Sequence, residues 1–251
     1  MSQADSAPSV EYGAAVESLA ARLLDALRGT GHSASLAVHV DGAADTKAAL
    51  AAVRVLGPDV FAPALLASTA FGPDDWDVVA EALNVFPASP EDPPEMVCLG
   101  QATNALLTRF APGADRGRDP AIEEQADREP GVPLLPETLH WRPWSQGMAR
   151  LSSLALPGLP GPVTEQAVRR VTALKRGLTR SMLRRDYPTA ARLARWAALV
   201  QSRGAALPGL DTEPVVEHLE LCGAVDARTV LDIEIAALLI PGRQERKGCG
   251  A

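Results

Sequence analysis

Apolar residues at three- and four-residue spacing, interrupted again and again by Gly and Pro, govern what this chain can fold into. In YGAAVESLAARLLDALR, residues 12 to 28, one helical face collects Val16, Leu19, Ala20, Leu23, Leu24 and Leu27, while Glu17, Arg22, Asp25 and Arg28 lie off it. Gly29 and Gly31 then stop the helix. Residues 44 to 56 and 97 to 110 read as helices too, and GPDDWDVVAEALN opens one cleanly, with Pro73 at its first position and acids in its first turn. Hydrophobic residues make up 47% of the chain but aromatics only 4%, so the core is built from Ala, Leu and Val, which favours close-packed helices over sheets. The one strand candidate is SLAVHV, residues 35 to 40, where Leu36, Val38 and Val40 alternate with Ser35, Ala37 and His39 ahead of an Asp41-Gly42 turn.

The expected fold is therefore mainly α, in two parts. Residues 1–110 form an N-terminal part that is helical or a small α/β unit. Residues 111–136 carry five prolines, three glycines and many charges without apolar periodicity, and read as a linker or long loop. Residues 137–251 form an all-α part, with helices expected at about 145 to 155, 164 to 185, 188 to 203, 212 to 222 and 226 to 240, separated by Gly-Pro turns. ALPGL occurs at 155 to 159 and again at 206 to 210, a shared turn recipe rather than a demonstrated duplication. The last helix, DARTVLDIEIAALLI, is apolar almost all round, so it is either buried in its own part or covered by a second subunit.

Charge divides along the same line. Up to Thr138 the chain has 21 acids and 8 Lys or Arg, net −13; beyond it there are 10 acids and 16 Lys or Arg, net +6. Residues 169 to 195 alone hold nine Lys or Arg against one acid, Asp186. On one continuous helix Arg169, Arg176, Arg180 and Arg184 would share a side, opposite Val168, Val171, Leu174, Leu178 and Met182. Guanidinium groups stay charged and can donate two parallel hydrogen bonds, so such a row suits carboxylates or phosphates. A pI of about 5.2 and the lack of an aromatic stacking set along this face put nucleic acid behind an acidic protein surface as the partner.

Other constellations carry less. HWRPWSQGM, residues 140 to 148, places His140, Trp141, Arg142 and Trp144 together, either as an aromatic-basic recognition corner or as a packing plug; Pro143 is expected to deny a regular helix through the two tryptophans. Asp74, Asp75, Asp77 and Glu81 could gather a hard cation, but acids behind a Gly-Pro are what a helix N-terminus favours. His218 and Cys222 lie one helical turn apart, a spacing that suits zinc, without further ligands to complete a tetrahedron. Phosphate loops, dinucleotide loops and a nucleophile elbow are missing from the sequence, so no cofactor, no metal and no catalytic motif is expected. Cys98, Cys222 and Cys249 are odd in number and far apart, and the N-terminus has neither the basic start nor the apolar core of a signal peptide. With no run of 18 apolar residues, a cytoplasmic protein is expected, and 21 Arg against 3 Lys points to a GC-rich bacterial genome.

These features favour a self-associating, homo-oligomeric helical interaction or scaffold protein that holds an acidic partner, or itself, on the arginine face. The alternatives are an enzyme of bacterial specialised metabolism with a pocket between the two parts, and a nucleic-acid-binding protein using residues 169 to 195.

Overall fold

A computed structural model describes residues 6–30, 35–89, 91–112, 135–136, 139–223 and 226–243. Most of the linker expected at 111–136 lies outside the described residues, as do Gly31, His32 and Cys249. Among the described residues every regular element is helical. The chain divides into two compact units, Met1–Gly131 and Val132–Ala251.

The first unit contains α1 (Ser6–Arg28), α2 (Leu36–Asp41), α3 (Thr46–Leu56), a 3-10 turn (Gly57–Phe61), α4 (Ala62–Leu66), α5 (Pro73–Val85) and α6 (Pro94–Arg109). Leu19, Ala20, Leu23, Leu24 and Leu27 of α1 are buried, on the face that the spacing assigns, and α1 packs on α3, which in turn packs on α5. The helix ends where Gly29 turns to a φ of 68°. Thr46–Leu66 is long and apolar enough to cross a membrane by composition, but it is mostly buried in this unit and is broken at Gly57, which takes a φ of 56°. Three of the four phenylalanines meet below that break. Phe61 is fully buried, with Phe71 at 4.7 Å and Phe110 at 5.4 Å between ring centroids.

The strand expected at 35–40 is instead the short helix α2. Its alternating pattern is overridden by hydrogen bonding at its start: Ser35 caps the helix, and one oxygen of Asp75 accepts from the Ser35 hydroxyl (2.9 Å), the Leu36 N–H (2.7 Å) and the Ala37 N–H (3.3 Å). Asp75 belongs to the first turn of α5 and is buried, so an acid whose position suits its own helix dipole also closes the orphan donors of another helix.

The second unit contains α7 (Trp141–Arg150), a 3-10 turn (Ser152–Leu154), α8 (Pro162–Arg169), α9 (Val171–Leu183), α10 (Tyr187–Ser202), α11 (Thr212–Cys222) and α12 (Ala227–Leu239). α10 is central, packing on α12, α9, α11 and α7. Half of its ten buried residues are alanine, Ala190, Ala191, Ala194, Ala197 and Ala198, which lets neighbouring helices come close. α7 and α9 cross tightly as well: a Cβ added at Gly177 would collide with Ser145. α12 is covered within this unit, with Leu231, Ile233, Ile235 and Leu239 buried, so its apolar surface asks for no second subunit. Both ALPGL turns place their glycine in the left-handed region, Gly158 at 77° and Gly209 at 70°. The helices that follow are entered in different register: Thr164 is the third residue of α8, whereas Thr212 is the first of α11.

Two sequence expectations change here. α7 begins at Trp141 rather than near 145 and runs through Pro143, because a proline in the first turn gives up an N–H that has no partner within the helix. The single helix expected over 164–185 is two helices, broken at Arg170 (φ −105°, ψ 36°).

The charge at the centre of this unit is buried. Arg195 is fully buried and donates to Asp232 Oδ1 at 3.1 Å, to the Ala155 carbonyl at 3.1 Å and to the Ser153 carbonyl at 3.4 Å, joining α10 to α12 and to the 3-10 turn. Arg192 approaches the other Asp232 oxygen at 3.6 Å. Removing the carboxylate strands a buried cation, so Asp232→Ala should cost about 3–5 kcal/mol of stability in urea unfolding, and the double change Arg195→Met with Asp232→Leu should recover most of it. A cost below about 1 kcal/mol for the single change would show that the pair does not hold the unit together. In the first unit, Asp75→Ala should speed hydrogen exchange at the Leu36 and Ala37 amides selectively, while exchange in the core of α3 stays unchanged.

Candidate functional site

The basic run from 169 to 195 is sorted by the fold into groups with different work. At the break between α8 and α9 the Arg170 guanidinium lies over the Trp144 ring at 4.9 Å and donates to the Leu139 carbonyl at 2.7 Å. Trp144 is fully buried, and its indole N–H donates to Gln166 Oε1 at 3.2 Å, whose amide in turn donates to the Leu135 carbonyl at 2.6 Å. Lys175 donates to the Pro208 carbonyl at 2.7 Å. Arg192 and Arg195 converge on Asp232. Arg169 pairs with Glu165 one turn back on α8 at 3.3 Å, both side chains exposed, a contact worth little in water.

Arg176, Arg180, Arg184 and Arg185 are left. All four are exposed, and none is within ion-pair distance of a carboxylate among the described residues. Arg176 and Arg180 are one turn apart on α9, and Arg184 is its C-cap. Arg185 follows in the left-handed region at a φ of 57°, where glycine is the usual residue. The chain reverses there by a Schellman arrangement: the Asp186 N–H donates to the Ser181 carbonyl and the Arg185 N–H to the Met182 carbonyl, both at 3.0 Å. Asp186 then caps α10, accepting from the Thr189 N–H at 3.3 Å. The reversal thus adds Arg184 and Arg185 beyond the end of α9 to Arg176 and Arg180 along it, and Leu183 beside them is 80% exposed. Like charges one turn apart repel by a few tenths of a kcal/mol each, a cost that an anionic partner would relieve.

Of the row expected from the sequence, the structure keeps Arg176, Arg180 and Arg184 together and places Arg169 on a separate helix, because Arg170 turns inward. Arg185 joins the group and was missed, since nothing in MLRRDYP marks the residue that takes the left-handed turn. The opposite face is also redrawn: Leu174 and Leu178 are buried with Ala173, Gly177 and Ser181, Val171 and Met182 are half-buried, and Val168 is 36% exposed.

The corner at 140–144 divides in two. Trp144 points into the core, whereas His140, Trp141 and Arg142 form an outward stack, with His140 at 5.6 Å from the Trp141 ring centroid and Arg142 over that ring at 5.3 Å. His140 and Arg142 are exposed and Trp141 is half-buried. On α5, Asp74, Asp77 and Glu81 are exposed while Asp75 is turned inward to α2. His218 and Cys222 are both exposed on α11, His218 beside the Tyr187 ring at 6.2 Å. Among the described residues, no group of three or more His, Cys, Asp or Glu side chains is placed to hold a metal ion. Comparison with known proteins finds no family model that matches the chain, and no curated protein or solved structure significantly similar to it.

Proposed function

We propose that this is a cytoplasmic bacterial interaction or scaffold protein that self-associates and holds an acidic protein surface on Arg176, Arg180, Arg184 and Arg185. The observation that carries this reading is the contrast within one basic run. Arg170, Arg192 and Arg195 are engaged by the fold, while these four stand exposed without a carboxylate among the described residues. Guanidinium groups in a row match carboxylates by paired hydrogen bonds, and the neighbouring exposed Leu183 offers the apolar contact that a protein partner can use and a free anion cannot. An acidic protein is favoured over nucleic acid because no exposed aromatic ring accompanies these arginines on α9 and the whole chain is acidic.

Charge reversal tests the reading directly. On a polyglutamate resin at low salt, the wild-type protein should be retained and should elute as salt rises, whereas Arg176→Glu with Arg180→Glu should pass through while keeping its thermal melting curve. Equal retention of the two proteins would overturn the proposal. A duplex DNA probe bound more tightly than polyglutamate, with an affinity falling steeply with salt, would give the face to nucleic acid instead.

A further inference from the structure

The first unit carries a counterpart to the arginine face. Asp74, Asp77 and Glu81 fall within an arc of about 60° on α5 and span about 10 Å along it. All three are exposed, and none is within ion-pair distance of a Lys or Arg among the described residues. Asp74 is in the first turn, where the helix dipole accounts for it. Asp77 and Glu81 lie beyond that reach, so capping does not explain them. The same face continues to Val85, which is 41% exposed. On α9 the matching face runs from Arg176 through Arg180 to Arg184, with exposed Leu183 alongside. Each helix thus shows three like charges at about one-turn intervals and one exposed apolar side chain near its C-terminal end. The signs are opposite.

We infer that the acidic partner of the arginine face is α5 of a second copy of this chain, an inference that rests on that face being a binding surface. Laid antiparallel, the two helices set Glu81 opposite Arg176, Asp77 opposite Arg180 and Asp74 opposite Arg184, with the helix dipoles opposed. The contact is heterologous: each copy offers both an acidic and a basic face, so association adds copies head to tail instead of stopping at a symmetric dimer. Two exposed helix faces bury less than the roughly 1,200 Å² of a standard interface, which places the association in the weak, salt-sensitive class.

Sedimentation velocity of the full-length protein over a concentration series, in about 0.05 M and about 0.5 M NaCl, reads this out. The weight-average sedimentation coefficient should climb with concentration in low salt without reaching a dimer plateau, and the climb should disappear in high salt. Arg176→Glu with Arg180→Glu, and separately Asp77→Arg with Glu81→Arg, should each stay monomeric with unchanged circular dichroism. An equimolar mixture of the two variants should associate, since each then supplies the sign that the other lost. A wild-type protein that is monomeric at every concentration, or a mixture that fails to associate, would overturn the inference. The two proposals fail separately. A monomer that still loses polyglutamate retention on Arg176→Glu with Arg180→Glu removes only the second copy as partner, whereas retention indifferent to those changes removes the face itself.

Discussion

A fully buried guanidinium, that of Arg195, is the interaction on which the second unit depends. Moving such a charge out of water costs several kcal/mol, and the cost is offset only if its donors are met. Here they are met by Asp232 and by two backbone carbonyls of the segment 153–155. That requirement fixes α10 against α12 and against the turn after α7 at the same time. The alanine face of α10 makes the close approach possible, and the arginine makes one arrangement of it better than its neighbours. The first unit uses a smaller version of the same device: a single buried carboxylate oxygen on Asp75 holds the start of α2 against α5.

Those polar centres also show where sequence reasoning stops. Segments with long apolar periodicity and clear caps were legible: α11 spans the expected 212–222, α5 begins at Pro73, and the alternation of buried and exposed positions in α1 follows the residue spacing. What failed depended on partners far away in the chain. SLAVHV alternates like a strand, but its amides are taken by an aspartate about 40 residues on, and six residues are too few for periodicity to outweigh those bonds. At the break, Arg170 lies over a tryptophan 26 residues earlier, a contact that nothing local to RRVTALK announces. The Phe61, Phe71 and Phe110 cluster is likewise invisible in a chain where aromatics are scattered singly.

The candidate face was legible as a charge block and only partly as geometry. Composition located the basic run correctly, yet it could not separate the arginines that hold the fold from those left to solvent, because both kinds alternate within a few residues. Arg169, Arg170 and Arg176 are close in sequence and have three different fates: an exposed pair with Glu165, a stack on Trp144, and no carboxylate partner among the described residues. Separating them requires knowing where the helix breaks and which way each side chain leaves the backbone. Once they are separated, the single-sign group along α9 and just past its end stands apart from the structural arginines as a surface that meets no carboxylate among the described residues.

Arginine-selective labelling of the native protein with a dicarbonyl reagent, mapped by peptide mass spectrometry, would separate the solvent-facing arginines from the structural ones. Rapid modification is expected at Arg176, Arg180, Arg184 and Arg185, with Arg170 and Arg195 protected until the protein unfolds. Equal protection across all six, or early modification of Arg195, would contradict that separation.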